Sequence, residues 1–274
     1  MTGSDADGLV GPLGSRWTLY TVGRASVETV KGGIRLGTID AIRSALADAQ
    51  IDDYHGRHRG SLPWVPPLRL TVRARWSHPS AALRGTIGFG FWNDPVDGRG
   101  RFAAAPNAVW FFHASEPSRI RLRREGVGTG MVAAAMHGGE VNSWLLAAGN
   151  LALRIPGVDQ LAARIGGSHM GGADTLLPED LDITAWHDYL LDWRWDGAVF
   201  AVDGAEVARL AARDVPRCRL GFVAWIDNNW ADLGDDGRYR SGCLDAPGGQ
   251  WLELARVVVE GDELDIRTGG RPKR

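Results

Sequence analysis

Hydrophobic and polar residues alternate along two stretches of the chain. Residues 68–76 (LRLTVRARW) place an apolar side chain at every second position, with Arg and Thr between them. Residues 187–195 (HDYLLDWRW) repeat this pattern with Tyr189, Leu191, Trp193 and Trp195 on one face. A period of two is typical of a half-buried β-strand. Further strands are predicted at 85–92, 107–114, 198–202, 219–226 and 251–259.

Glycine and aspartate separate these strands. Asp196-Gly197 and Asp203-Gly204 bound a short apolar run, which predicts hairpin turns. Strand 85–92 contains repeated glycines, and because glycine weakens a strand, this predicts the close approach of another backbone or a ligand. Strands joined by such turns indicate an all-β sandwich or barrel. We expect one domain over residues 17–262, between flexible ends at 1–16 and 263–274.

Two stretches break the strand pattern. Residues 38–50 place Ile39, Ile42, Leu46 and Ala49 on one helical face, which predicts a short amphipathic helix. Residues 141–182 are predicted as a helical and loop insertion, with one or two helical turns at 158–165. This insertion is either a lid over a site or an excursion packed on the surface.

Composition and charge exclude several classes of function. With 31 basic and 33 acidic residues among 274, the chain lacks the basic excess that nucleic-acid binding needs. No apolar run approaches the roughly 18 residues that span a bilayer, and the N-terminus does not have the pattern of a secretory signal. We expect a cytoplasmic protein without a nucleic-acid or membrane partner; its oligomeric state stays open. Cys218 and Cys243 are expected as reduced thiols, with one disulfide as the alternative.

The order of the segments resembles a known family. GTIGFGFW at 85–92 follows LRLTVRARW, HDYLLDW at 187–193 leads to VDG at 202–204, and WLELARVVV at 251–259 forms a last strand. Over residues 17–262 the chain resembles the concanavalin A-like lectin/glucanase superfamily and, within it, glycoside hydrolase family 16. The resemblance implies a β-jelly-roll sandwich of two curved antiparallel sheets, with a cleft on the concave face.

The chain departs from that family at the expected catalytic strand. The resemblance places this strand at 107–112 (NAVWFF), which carries no carboxylate, and the register 86–91 offers none either. Retaining glycosidases need two carboxyl groups about 5–5.5 Å apart, so the sequence argues against hydrolysis at this place. The resemblance also leaves room for a structural calcium ion on the convex side, near Glu253. No other cofactor and no metal motif is indicated.

Tryptophan is unusually frequent, with 12 residues, and its positions divide into two groups. Trp76, Trp193, Trp195 and Trp251 are expected in the core. Four others stand where the resemblance places concave-face strands or their ends, and an indole there offers a flat apolar platform with one N–H donor. These are Trp92, Trp110, Trp225 and Trp230.

Polar residues beside these tryptophans are candidates for ligand binding. Asn93, Asn107 and Asn229 are predicted to bind the ligand. Asp53 and His55, from the loop before residue 68, are further candidates for binding, acid–base work or a cation, with solvated loop charge as the alternative. Asx residues at strand ends also close turns through their own backbone, which is the alternative reading of these positions.

Four residues are candidates for acid–base chemistry near the expected catalytic strand: Asp94, His113, Glu116 and Asp227. The alternative for His113 is a hydrogen-bonded core position, and that for Asp94 and Asp227 is a turn.

Three functions compete on this evidence. The preferred one is binding of a bulky, partly apolar small molecule in an aromatic cleft, as in a non-redox cyclase or isomerase of secondary metabolism. The alternatives are a carbohydrate-binding protein and a family 16 type glycoside hydrolase. Whether the protein is an enzyme at all is left open by the sequence.

Overall fold

The computed structural model describes residues 17–95, 104–119, 129–138, 171–233 and 239–261. Within these residues the chain forms strands and three single turns of 3₁₀ helix, at Arg59–Ser61, Ser80–Ala82 and Ala212–Asp214, and no α-helix. None of the helices in that part of the chain could cross a membrane. The strands are β1 (Thr18–Val22), β2 (Ala25–Val30), β3 (Gly33–Ala41), β4 (Asp48–Asp52), β5 (Leu68–Trp76), β6 (Thr86–Trp92), β7 (Ala108–Ala114), β8 (Gly130–His137), β9 (Gly171–Leu176), β10 (His187–Arg194), β11 (Gly197–Val202), β12 (Ala205–Ala211), β13 (Gly221–Asp227), β14 (Asn229–Leu233), β15 (Tyr239–Cys243) and β16 (Ala246–Gly261).

Two seven-stranded antiparallel sheets make up the fold. The first sheet has the strand order β1-β4-β13-β6-β7-β8-β9, and the second sheet has the order β12-β11-β10-β5-β16-β3-β2. β14 and β15 form a separate two-stranded sheet. The predicted all-β sandwich is confirmed, and so is the Asp203-Gly204 turn between β11 and β12. The turn between β10 and β11 is formed by Trp195 and Asp196, one residue before the predicted Asp196-Gly197.

The inner faces of the two sheets pack around aromatic side chains. Phe89 of the first sheet lies 5.4 Å, between ring centroids, from Tyr189 of the second, and 5.7 Å from Phe111. Trp76 and Trp193 are fully buried among them, as predicted. Because each large aromatic side chain buries roughly 150–250 Å² of surface, this cluster contributes much of the apolar burial.

Two tryptophans that were predicted in the core lie outside it. Trp195 follows the end of β10 and is 48% exposed, because it is the first residue of the turn to β11. Trp251 alternates with the buried Leu252 on β16 and therefore faces outward. It is half-buried, with the guanidinium carbons of Arg35 and Arg75 at 4.8 and 5.3 Å from its ring.

The helix predicted at 38–50 is wrong. Its first residues end β3, its last residues begin β4, and a turn region joins the two strands. Ile39 and Ile42, which were assigned to the apolar helical face, are 61% and 42% exposed. Ala47, Ala49 and Ile51 are buried instead, in the period-two pattern of a strand.

Part of the insertion predicted at 141–182 is instead a strand of the first sheet. Residues Gly171–Leu176, expected inside it, form β9 at the edge of the first sheet, paired with β8. The helical turns predicted at 158–165 and the proposed lid at 141–166 lie outside the described residues.

A single buried side chain fixes the start of β4. The Asn228 amide nitrogen donates to the carbonyl oxygens of Ile42, Ala45 and Leu244, and its oxygen accepts from the Ala47 amide. Asn228 is fully buried, so these bonds tie the turn before β4 to the end of β13.

Candidate functional site

Four aromatic side chains cover the outer face of the first sheet, the face turned away from the second sheet. Trp92, Trp110, Phe112 and Trp225 form this aromatic floor. Trp110 lies 5.2 Å from Trp225, 5.4 Å from Phe112 and 6.2 Å from Trp92, between ring centroids. The Trp110 and Phe112 rings are stacked, as are those of Phe112 and Trp225. The result is a continuous aromatic surface contributed by β6, β7 and β13.

The glycines of β6 make room for the floor. A Cβ atom on Gly90 would lie 2.5 Å from the Cβ of Trp110, and one on Gly88 would lie 3.0 Å from the Trp225 ring. Both positions would also meet the backbone of β7. The close approach that the sequence predicted at these glycines is therefore made by side chains and backbone of the neighbouring strands.

Two of the indoles donate to hydroxyl groups of the protein. Trp225 Nε1 donates to the Thr86 hydroxyl oxygen at 2.9 Å, and that hydroxyl donates to Asp227 Oδ1 at 2.9 Å. Trp92 Nε1 donates to the Tyr54 hydroxyl oxygen at 2.6 Å. These bonds fix the planes of both rings and connect the floor to polar groups at its two ends.

One end of the floor carries two carboxyl groups, Asp48 and Asp227, here called the acidic end. Asp48 begins β4, Asp227 ends β13, and the two residues are directly paired across these strands. Burial raises the pKa of both carboxyls, that of Asp48 to about 8 with a further contribution from the Asp227 charge, and that of Asp227 to about 6. The pair therefore retains a proton near neutral pH.

Hydrogen bonds decide which of the two carboxyls ionises first. Asp227 Oδ1 accepts from the Thr86 amide at 3.1 Å, the Thr86 hydroxyl, and the Asn229 amide at 2.9 Å. Such bonds favour the ionised form. Asp48 Oδ1 is buried and has no hydrogen-bond partner, so Asp48 holds its proton more strongly.

The opposite end of the floor is also polar. The fully buried Asp52 accepts from the Gln50 side chain and from the amides of Tyr54 and His55. Gln50 Nε2 also donates to the Tyr54 hydroxyl oxygen at 3.1 Å. Burial raises the pKa of the nearby Asp94, Arg59 opposes this rise, and the charge of Asp52 adds to it.

The four predicted acid–base residues are not brought together. Asp227 lies at the acidic end and Asp94 near the opposite end. His113 alternates with Trp110 and Phe112 and points to the inner face, where its Nε2 donates to the Ser80 carbonyl and burial lowers its pKa to about 4. Glu116 is exposed in the turn after β7. Their catalytic roles stay predictions.

The side chains of several predicted binding residues form hydrogen bonds with backbone groups of the protein. Asn93 and Asn107 both donate to the Ala105 carbonyl, and Asn93 also accepts from the Asn107 amide. Asp53 accepts from Trp64 Nε1 and from the Phe222 amide, between the sheets.

Of three further predicted binding residues, two contact polar groups at the ends of the floor and the third lies on the separate two-stranded sheet. His55 is exposed next to Asp52, Asn229 donates its amide to Asp227, and Trp230 is half-buried on β14. The predicted platforms Trp92, Trp110 and Trp225 share the floor.

A calcium ion does not fit the position suggested for it. Both carboxylate oxygens of the buried Glu253 accept from arginines, Oε1 from Arg35 at 2.6 Å and Oε2 from Arg75 at 2.7 Å. Among the described residues no three His, Cys, Asp or Glu side chains are grouped to hold a metal. The two guanidinium groups neutralise the carboxylate themselves.

Chelation with EDTA is therefore expected to leave the melting temperature unchanged, whereas Glu253→Gln is expected to lower the free energy of unfolding by about 1–3 kcal/mol, because both arginines lose a charged acceptor. Thermal and urea denaturation measure both effects. Glu206→Gln, which removes an exposed partner of Arg209, is the control and should change little. A large stabilisation by added calcium would contradict this account.

Sequence reasoning missed Asp48, Gln50, Tyr54 and Phe112. The first two fell inside the predicted helix, although Asp48, Gln50 and Asp52 alternate with Ala49 and Ile51 in a strand pattern that was present in the sequence. Their approach to the floor depends on the pairing of β4 with β13, which no local pattern reveals.

Comparison with known proteins supports the fold. No protein-family model matches the chain, and no curated protein matches it. Among solved structures, an endo-acting O-glycanase of the kind that members of the human gut microbiota express to initiate mucin breakdown is 14% identical, with a TM-score of 0.51 over 94% of this chain and 96% of that one. A Bacillus licheniformis β-glucanase is 12% identical, with a TM-score of 0.50 over 95% of this chain and 100% of that one.

These similarities establish the architecture of the sandwich. The chain has the concanavalin A-like jelly-roll fold found in family 16 glycanases. On β7 the positions that face outward are Ala108, Trp110, Phe112 and Ala114, so the strand that the resemblance made catalytic contributes the middle of the aromatic floor.

Proposed function

We propose that the outer face of the first sheet binds a carbohydrate chain, with its sugar rings stacked on the aromatic floor. The observation that carries the proposal is the run of Trp92, Trp110 and Trp225, whose neighbouring centroids are 5.2–6.2 Å apart. Flat indoles bind the apolar faces of sugar rings, while the polar groups at both ends can meet ring hydroxyls.

The structural neighbours favour carbohydrate over a cyclisation substrate. The two compared proteins are named for acting on mucin O-glycans and on β-glucan. Nothing in the comparisons supports a cyclase or isomerase. Laminarin, mixed-linkage β-glucan and mucin O-glycans are therefore the first ligands to test.

One observation favours a more apolar ligand as a second candidate. The indole N–H groups of Trp92 and Trp225 are already bound to Tyr54 and Thr86, and Trp110, Phe112 and Trp225 are only 7–8% exposed. A floor with these donors occupied and little contact with water suits a bulky, partly apolar molecule. Titration with an aryl aglycone that lacks a sugar distinguishes this candidate from carbohydrate binding.

Trp225→Ala is expected to weaken glycan binding about tenfold or more, because it removes the ring that connects Trp110 with the acidic end of the floor. Isothermal titration calorimetry with laminarin oligosaccharides measures the change. Trp195→Ala removes an exposed tryptophan from a turn of the second sheet and is the matched control, expected to bind like the wild type. Equal losses in the two variants, or no binding by the wild type to any of the three glycans, would contradict the proposal.

A further inference from the structure

We infer that Asp48 and Asp227 form the pair of catalytic carboxyl groups that cleaves a glycosidic bond of the carbohydrate bound on the aromatic floor. This inference rests on the proposed function and adds the reaction to it. It places the chemistry on β4 and β13 rather than on β7, whose outward positions are apolar.

The register of the strands brings the two carboxyls together. Asp48 and Asp227 are partners in the antiparallel pairing of β4 with β13, on the face that also carries Trp225. Residues directly opposite on antiparallel strands have Cβ atoms about 4.5–5.5 Å apart. Carboxyl groups one bond beyond such Cβ atoms can reach the roughly 5–5.5 Å that separates the two carboxyl groups of retaining glycosidases.

The pair is connected to the floor through Trp225. This residue stands two positions before Asp227 on β13, and its indole reaches Asp227 through the Thr86 hydroxyl. A sugar ring stacked on Trp225 therefore lies next to the carboxyls. The floor supplies the binding surface and the strand ends supply the reactive groups.

Asp48 carries one of several buried polar atoms without a hydrogen-bond partner, and it is the one that lies opposite Asp227 on the face of the aromatic floor. Its Oδ1 is buried without a hydrogen-bond partner, whereas Asp227 Oδ1 accepts three bonds. A buried polar atom of this kind needs a reason, because leaving it unpaired is costly. A proton that passes to the oxygen of a bound sugar supplies that reason.

The two environments assign different roles to the two carboxyls. Asp227, with three donors on one oxygen, ionises first, and Asp48 keeps its proton because burial and the Asp227 charge raise its pKa. Asp48 is thus the acid and Asp227 the nucleophile.

The reaction needs only water as co-reactant. Asp227 forms a bond to the anomeric carbon while the bond from that carbon to the leaving oxygen breaks, and Asp48 transfers its proton to that oxygen. Water then adds to the anomeric carbon, gives a proton to the Asp48 carboxylate and releases Asp227. Both aspartates end in their starting protonation states.

Asp48→Asn is the decisive variant, because Asp48 Oδ1 has no hydrogen bond to lose and a purely structural role would leave activity intact. We expect kcat/KM on laminarin to fall at least about a hundredfold, since general acid catalysis is removed. On a dinitrophenyl β-glucoside oligomer, whose leaving group needs no proton, the fall should be less than about tenfold. Asp227→Asn retains an oxygen for Thr86 and Asn229 and is expected to abolish turnover of both substrates.

The pH profile gives a second readout. The wild-type kcat/KM should rise as the pair loses its first proton and fall as it loses its second, with both limbs above the usual carboxyl range because burial raises the pKa of both groups. Asp48→Asn should lose the alkaline fall on the dinitrophenyl substrate. Among the described residues beside the pair, Thr86 and Val22 do not titrate, and burial and the Asp227 charge raise the pKa of the Cys243 thiol.

Each result decides between the two levels of the proposal. Asp188→Asn, an exposed carboxylate on the second sheet, is the control and should leave turnover unchanged. If the wild type and Asp48→Asn both bind glycan and neither cleaves it, the catalytic role of Asp48 and Asp227 is overturned and the proposed binding function stands. Failure of the wild type to bind laminarin, mixed-linkage glucan and mucin O-glycans overturns the proposed function and the pair with it.

Discussion

Gly90→Ala is expected to lower the free energy of unfolding by about 2–4 kcal/mol, a large effect for one methyl group. The new Cβ would lie 2.5 Å from both the Val109 carbonyl oxygen and the Trp110 Cβ. Gly90 also has a φ of 154°, which side-chain-bearing residues rarely adopt. Since a strand in the middle of the sheet cannot shift freely, the strain falls on β7 and on Trp110. Urea denaturation measures the loss.

The same substitution at Gly37 is the matched control. Gly37 lies on β3, and its nearest neighbour would be 3.5 Å from an added Cβ, an ordinary contact. Gly37→Ala should therefore change stability by less than about 1 kcal/mol. Gly90→Ala should also weaken glycan binding, because Trp110 can no longer lie against the strand. Equal stability of the two variants would refute the account of how β6 supports the floor.

Phe89→Ala is expected to lower the free energy of unfolding by about 3–5 kcal/mol. Phe89 is 1% exposed and contacts Trp76 and Tyr189 of the second sheet as well as Phe111 of its own. Removal of its ring leaves a cavity between the sheets that rigid neighbouring rings cannot fill. Equilibrium denaturation by guanidinium chloride measures the change.

An exposed aliphatic residue provides the comparison for Phe89. Ile39→Ala truncates a side chain that is 61% exposed at the end of β3 and should cost little. If the two truncations had similar effects, the sandwich core would not be centred where the aromatic contacts place it.

The strands that alternate strongly could be predicted from the sequence, and those packed on both sides could not. β5 and β10 each bury one face and expose the other, so apolar and polar residues alternate along them and the alternation predicts a strand. β8 (GMVAAAMH) is buried on both faces, and its small residues carry no period. The helix prediction at 38–50 was wrong for another reason. Two strand ends and the turn between them place apolar residues at helical spacing by coincidence.

The sequence predicted the tryptophans of the candidate site but not the polar residues at its ends. Trp92, Trp110 and Trp225 stand out by residue type, and their order along the chain was enough to place them on one face. Asp48 and Tyr54 become neighbours of these rings only through the pairing of β4 with β13 and the turn that follows β4. Such long-range pairing is set by the whole sandwich, so local patterns do not contain it.

The glycines of β6 have a consequence for the thermodynamics of binding. Because Trp110 and Trp225 lie directly against the main chain, the height of the floor is set by the peptide backbone and not by flexible side chains beneath it. Little rotamer freedom is left to lose when a ligand settles on the rings. Such a preorganised surface selects flat, rigid molecules. Differences in affinity among them depend on the shape of the ligand and little on rearrangement of the protein's side chains.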